Sequence, residues 1–496
     1  MKTAFFFILT AAFLFTSGFS KQLHFQTLVP NPLSSSKPQS VNLDDFSWSE
    51  SESLTTTTTT ESTTESSLAG EAKSILTLNL QHVDSLTSKE DETHESLLKS
   101  RLRRDEARVN TLKSMAVKAR SSSPGKNVTG SRGKDFSASI ISGLAQGSGE
   151  YFTRLGVGTP PKYAYMVLDT GSDIPWIQCQ PCRKCYSQTD PIFNPSKSKS
   201  YAGVTCSSPL CRKLDASGCN QKKSCLYQVS YGDGSFTFGE LATETFTFRG
   251  TKIPKIALGC GHDNEGLFVG AAGILGLGRG RLSFPTQSDH RFGGKFSYCL
   301  VDRTSSTSSK PSSVVFGESS VSKSAVFTPM LQNPKLDTFY YVGLLGISVG
   351  GVRVSAIRSS FFRLDKAGNG GVIIDSGTSV TRLTRPAYTA LRDAFRVGTK
   401  GLKSAPGFSL FDTCYDLSGQ KEVKVPTVVM HFGGGADVSL PAANYLIPVD
   451  TNGVFCFAFA GTTGGLSIIG NIQQQGIRVV FDRAGSRVGF APRGCA

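Results

Sequence analysis

At 496 residues the chain is too long for one hydrophobic core and calls for two or three domains. Hydrophobic residues at 39% against 18% charged, with 52 Gly and 33 Phe, exclude a coiled coil or a largely disordered chain and suit strands punctuated by turns. The net charge of +15 lies wholly beyond residue 130, but its Lys and Arg are scattered and never form a run interleaved with aromatics, which favours a solvated basic surface over a nucleic-acid or anionic-polymer site.

In chain order, residues 1–20 have the three parts of a secretory signal: Lys2, an apolar run from Ala4 to Phe15, and small residues up to Ser20, where cleavage is expected. No later stretch has the apolar length to cross a bilayer, so no membrane anchor is expected. Residues 21–130 read as a leader and pro-segment. Their first part, 21–70 and above all 35–70, is low in complexity, with Thr55–Thr60 unbroken, and reads as disordered. Between 72 and 120 the alternation from Ile75 to Leu80 predicts a strand. Leu97, Leu98, Leu102, Val109, Leu112 and Met115 then predict an amphipathic helix over 88–118. A linker over 121–148 follows, with the sole glycosylation sequon at Asn127.

From Gly149 the sequence turns to short apolar runs broken by Gly, Pro, Asn and Asp, with one helix expected near Pro386–Phe395, which is an all-β pattern. It contains a repeat. Met166–Ser172 (MVLDTGS) and Val372–Thr378 (VIIDSGT) both run apolar, apolar, Asp, hydroxyl, Gly, hydroxyl, and each is followed at similar distance by an apolar pair ending in Gly, at Gly276 and at Gly470. Two lobes of like plan are implied, 149–335 and 336–496. Two carboxylates held close across such a pseudo-two-fold cannot both ionise, so one acts as base and its protonated partner as acid upon a water between them.

All twelve cysteines lie between Cys179 and Cys495, an even number that favours six disulfides in a secreted chain. Cys179, Cys182 and Cys185 have C-x2-C-x2-C spacing, but no fourth ligand follows at the ferredoxin interval, which disfavours an iron–sulfur or zinc site. His262, His290 and His431 show no metal-binding spacing, and no cofactor or metal is implied. Gly273–Gly280 (GILGLGRG) lacks the full nucleotide-loop pattern and reads as strand turns.

On LDTGSDIPW (168–176) and IIDSGTSVT (373–381), residues 149–496 resemble the pepsin-like aspartic proteases, family A1, and within them the plant nucellin/nepenthesin-like group. The resemblance implies an all-β, bilobal fold of two β-barrel-like lobes with the cleft between them. It assigns catalysis to Asp169 and Asp375, a loop-locking role to Thr170 and Ser376, and support of the outer carboxylate oxygens to Ser172 and Thr378. Gly171 and Gly377 stand where the backbone must come close to the carboxylates. Tyr231, Gly232 and Asp233 resemble the flap, with Trp176 as the hydrogen-bonding neighbour of Tyr231, and 479–492 the C-terminal strand signature. The segment 179–225, with seven cysteines, resembles the nepenthesin-type insert. By that resemblance the pairs are Cys179–Cys182, Cys185–Cys260, Cys206–Cys225, Cys211–Cys219, Cys299–Cys495 and Cys414–Cys456.

The function implied is a secreted endopeptidase, made as a zymogen with its own pro-segment as intramolecular inhibitor. It would be monomeric, act at acid pH on polypeptide substrates between bulky apolar residues, and reside outside the cell, in the wall or in the vacuole. The alternatives are a catalytically inactive inhibitor of the same fold and a protease with accessory nucleic-acid binding. The intact aspartates and flap tyrosine argue against the first, and the signal peptide against the second.

Overall fold

The computed structural model describes residues 23–34, 75–82, 93–121, 151–230, 235–248, 251–266, 270–301, 312–492 and 494–495. The Asn127 sequon, the 121–148 linker beyond residue 121, and the flap residues Tyr231, Gly232 and Asp233 lie outside these residues. The architecture is all-β and bilobal, with one long helix outside the two lobes among the described residues. No helix among the described residues is long and apolar enough to cross a membrane.

The sequence repeat is a structural repeat. Strand Lys162–Asp169 runs parallel to Gly273–Gly276 with Asp169 opposite Gly276, and strand Val372–Ile374 runs parallel to Ser467–Ile469. In the first lobe Gly273–Gly276 also pairs antiparallel with Trp176–Gln178, and in the second Ser467–Ile469 does so with Thr381–Thr384. The trailing glycines are needed for closeness. A Cβ on Gly276 would come within 2.1 Å of the Asp173 carbonyl oxygen, and one on Gly470 within 2.6 Å of that of Ser379. The apolar pairs fill the buried faces: Val167, Leu168, Ile274 and Leu275 in one lobe, Ile373, Ile374, Ile468 and Ile469 in the other.

Between the lobes lies a shared sheet. Strand Lys295–Cys299 pairs with Ser312–Phe316 on one side and with Ile477–Asp482 on the other, and Ile477–Asp482 continues to Arg487–Pro492. Aromatic rings seal it. Phe296 stacks on Phe481 at 4.6 Å between centroids, and Tyr340 lies 4.4 Å from Phe481.

Among the described residues three elements precede the two lobes, and we label them β1 (Phe25–Leu28), β2 (Leu76–His82) and α1 (His94–Ser121). β2 buries Leu76, Leu78 and Leu80 and joins the shared sheet, pairing with Ser312–Phe316 and, at its end, with Tyr151 and Phe152. α1 lays its apolar side on the C-terminal lobe. Leu98 and Leu102 pack with Val380, Phe411 and Ile472, while Val109, Leu112 and Ala116 pack with Phe339, Tyr341 and Ile373.

β1 corrects the reading of 21–70 as disordered. The Ser/Thr tract that dominates the composition lies outside the described residues, but residues 23–34 carry Leu23, Leu28 and Leu33, and these find a surface on the C-terminal lobe. β1 pairs antiparallel with Val423–Pro426, and Leu28 is only 5% exposed.

The disulfides differ from the expected set at four of six pairs. The structure joins Cys179 to Cys260, Cys182 to Cys185, Cys206 to Cys219 and Cys211 to Cys225. Strand register decides this. Cys260 lies directly opposite Ile177 in the parallel pair of Trp176–Gln178 with Thr251–Glu265, which brings the next residues of the first strand, Cys179 included, to its side. Cys182 and Cys185 are left within one turn of each other. Cys219 and Cys225 face each other across a hairpin, so each bonds outward to the preceding loop rather than in the order expected. The pairs Cys299–Cys495 and Cys414–Cys456 join as written, the latter directly across a strand pair.

Candidate active site

Asp169 ends its strand and Asp375 follows directly on its own, so both turn off the sheets into the cleft between the lobes; they are 1% and 0% exposed. The two loops interlock through hydroxyls. The Ser376 amide donates to Thr170 Oγ1 at 2.9 Å and the Thr170 amide to Ser376 Oγ at 3.3 Å. From beneath, Asn471 Nδ2 donates to the Ser376 carbonyl at 3.0 Å and Gln474 Nε2 to the Asp375 carbonyl at 3.2 Å.

The carboxylates are held unequally. Asp375 accepts from the Gly377 amide at 3.3 Å and from Thr378 Oγ1 at 2.5 Å, whereas Asp169 accepts from the Gly171 amide at 2.9 Å. Ser172, the counterpart of Thr378, makes no such bond: its Oγ is buried and has no hydrogen-bond partner among the described residues. Its resemblance-based role at the Asp169 carboxylate is not fulfilled in this state. A guanidinium is bonded to both oxygens of Asp169 instead.

That guanidinium is Arg108 of α1. Its Nη2 donates to Asp169 Oδ1 at 2.5 Å and to Asp375 Oδ1 at 2.8 Å, its Nε to Asp375 Oδ2 at 2.8 Å, and its Nη1 to Asp169 Oδ2 at 3.5 Å. Gly377 and Gly171 make room, since a Cβ at either would lie 2.4 or 2.6 Å from the guanidinium. Burial disfavours the charge, but the two carboxylates outweigh it and hold Arg108 well above its ordinary range. Asp375 is the converse: burial would raise its pKa, and the Arg108 charge with the hydrogen bonds of Arg108, Thr378 and Gly377 lowers it.

One turn earlier, Asp105 anchors the helix. Its fully buried carboxylate accepts from the amides of Ser379 and Val380, just past the second catalytic loop, and from Arg382 Nη2 at 2.6 Å. Neither Asp105 nor Arg108 was singled out from the sequence. A signal existed, because Leu98, Leu102, Asp105, Val109, Leu112 and Ala116 follow one helical stripe, and an acid at an apolar position of such a stripe marks a buried charge with a partner.

Between α1 and the first lobe lies a cavity of about 480 Å³ lined by Leu112, Met115, Ile174, Leu214, Leu282 and Leu336, with Asp215 and Asp337 at its wall. Asp173, in the first catalytic motif, turns to its side. It accepts from Thr338 Oγ1 at 2.7 Å and the Gly280 amide at 2.8 Å, and burial raises its pKa to about 7 despite these bonds. Trp176 is fully buried, edge-on to Tyr186 at 6.5 Å; its expected partner Tyr231 comes between strands Cys225–Ser230 and Phe236–Phe248 in sequence and lies outside the described residues.

Comparison with known proteins accounts for this arrangement. Models described as xylanase inhibitor N-terminal and C-terminal match residues 151–318 and 339–492. Aspartyl protease family protein 2 of Arabidopsis thaliana is 65% identical over 499 residues, covering 100% of this chain and 99% of its own. Aspartic proteinase nepenthesin-1 of Nepenthes gracilis is 43% identical over 70% of this chain and 79% of its own. Among solved structures, basic 7S globulin from soybean superposes with a TM-score of 0.56 at 21% identity, covering 69% of this chain and 92% of that one, a likeness of fold. By its relatives across nearly its whole length, the chain belongs to the pepsin-like aspartic proteases of family A1, in the plant nepenthesin-like group, and is an aspartic endopeptidase.

Proposed function

We propose that the chain is a precursor of a secreted endopeptidase, that β2 and α1 belong to a pro-segment which blocks the cleft, and that acid opens it. The observation that supports this is the Arg108 guanidinium bonded to both aspartates, in the space where a substrate carbonyl and a water would have to stand. With Arg108 gone, two carboxylates locked together by Thr170 and Ser376 repel one another, and one keeps a proton. The ionised carboxylate takes a proton from the water that attacks the peptide carbonyl, and the protonated one donates toward the carbonyl oxygen. In that state Ser172 would donate to Asp169, as Thr378 does to Asp375. Six disulfides agree with an oxidising compartment, wall or vacuole.

The test is incubation of the purified full chain with an unfolded protein from pH 3 to 7, with N-terminal sequencing of the products. Substrate cleavage is expected only on the acid side, together with loss of the segment before residue 149. Both are expected to vanish in Asp169→Asn. Full activity of the intact chain at pH 7, or acid activity in Asp169→Asn, would overturn the reading.

A further inference from the structure

β1 lies on the outer face of the C-terminal lobe, where it touches neither aspartate. Residues 35–74 of low-complexity chain separate it from β2. Its contacts are nevertheless specific. The backbone pairs in register from Phe25 opposite Pro426 to Leu28 opposite Val423, extended at one end by the His24 amide donating to the Gly350 carbonyl at 2.8 Å and the Thr427 amide donating to the His24 carbonyl at 3.0 Å. At the other end the Leu33 amide donates to the Asp450 carbonyl at 3.0 Å.

Side chains add selectivity. Gln26 Nε2 donates to the Leu440 carbonyl at 3.0 Å and to the hydroxyl of the fully buried Tyr445 at 2.6 Å. That hydroxyl in turn donates to the Pro426 carbonyl at 2.9 Å. Leu28 enters the core beside Val423 and Val425, and Leu33 packs on the cluster of Phe411, Ile447 and Val449. Phe25 and Val29, by contrast, point out, at 45% and 66% exposure. An extended segment that pairs in register with another extended stretch of the chain and fills alternate pockets with its side chains has the form of a peptide ligand. Among the described residues Val423–Pro426 has no other strand partner, so without β1 its backbone loses that pairing.

We propose that the edge of Val423–Pro426, together with Tyr445 and the Gly350 and Asp450 carbonyls, is a peptide-binding exosite whose ligand is the chain's own leader, residues 23–33. Through it the pro-segment stays on the enzyme after the chain is cut between α1 and the catalytic lobes. The consequence for the pro-segment rests on the reading of α1 as an inhibitor; the exosite itself does not. Forty residues of chain can reach on the order of 100 Å when extended, ample to join two sites on one protein, and a covalent link between two binding segments makes rebinding of either one intramolecular. Cleavage of the linker alone would then leave a two-point complex that releases slowly.

The experiment uses the full chain with its own strand disabled by Gln26→Ala and Leu28→Asp, and a fluorescein-labelled peptide of residues 22–34. Fluorescence anisotropy is expected to show saturable binding, at least tenfold weaker for a scrambled peptide and for wild-type chain, whose site is already filled. Absence of saturable binding, or equal binding of the scrambled peptide, overturns the proposal. Should the variant misfold, hydrogen exchange on the wild-type chain decides. Segments 24–33 and 423–427 are expected to be protected at least a hundredfold over an unstructured peptide, and exchange at the unstructured rate overturns the exosite. Proteolysis is scored separately, so a bound peptide with no acid activity sinks the functional reading and spares the exosite, and the reverse result does the opposite.

Discussion

Arg108 reaches both aspartates because Asp105, three residues before it on α1, is itself fixed by two backbone amides and Arg382. The two residues alternate in sign against a surface that alternates likewise, so the helix has one register in which both are satisfied. Removing one side of such a pair strands the other: a buried charge left without its partner costs about 3–5 kcal/mol. Arg108→Met is therefore expected to loosen α1 and to raise the pH at which the chain begins to cut itself, read as the onset of N-terminal processing in a pH series. An unchanged onset would show that Arg108 does not hold the cleft. Asp173 gives a second prediction. Its folded pKa of about 7 lies above the ordinary 3.8, so the fold favours its protonated form. The associated stability is complete below pH 4 and is lost as pH rises through 7. In Asp173→Asn, whose amide can face Thr338 and whose carbonyl can accept from Gly280, the fall in melting temperature between pH 4 and 7.5 is expected to shrink by several degrees; an identical slope in the variant would refute the assignment.

At the scale of elements, α1 is held by an apolar stripe in two patches, Leu98 and Leu102 before the charged pair, Val109 and Leu112 after it. Leu102 and Leu112 are each 1% exposed, and truncation of either to Ala is expected to cost about 2–5 kcal/mol of docking. Limited proteolysis at neutral pH should then cut within α1 tenfold faster or more; resistance equal to wild type would place the binding energy elsewhere. These elements also show what local sequence carries and what it does not. Periodicity found the strand at 76–82, expected over 75–80, and the helix at 94–121, expected over 88–118, because alternation and the 3.6-residue stripe are local properties. The paired Asp-hydroxyl-Gly motifs were legible for the same reason, being repeated in the same order of residue types. The cysteine partners were not. They follow from which strands become neighbours, and Cys260, which closes on Cys179, comes to it only through a parallel pairing across 81 residues of chain. The leader was hidden in another way: averaged with its Ser/Thr-rich neighbours, a short run with leucines at 23, 28 and 33 looks unfoldable, and only the surface that receives it reveals a strand.

For the molecule as a whole, the proposed inhibition and the proposed catalysis use the same two carboxylates, which would couple opening to pH. Asp375 has its pKa lowered in the closed form by Arg108, Thr378 and Gly377, against the burial that would raise it. A group with a depressed folded pKa contributes its stabilisation above its ordinary value of 3.8 and loses it as pH falls through the depressed one. Arg108 keeps its charge throughout that range. Protonation of Asp375 thus removes the carboxylate to which Arg108 makes two bonds, and the guanidinium is left buried with less to offset it. α1 is expected to remain docked at pH 6–7 and to detach as pH drops below about 4, followed by hydrogen exchange of residues 94–116 in an Asp169→Asn chain that cannot cut itself. Asp375→Asn should imitate the protonated state, giving an α1 that exchanges at least tenfold faster at pH 7 with most of its acid-dependent step removed. A docked helix at pH 3, or detachment centred near pH 6, would show that some other group governs opening.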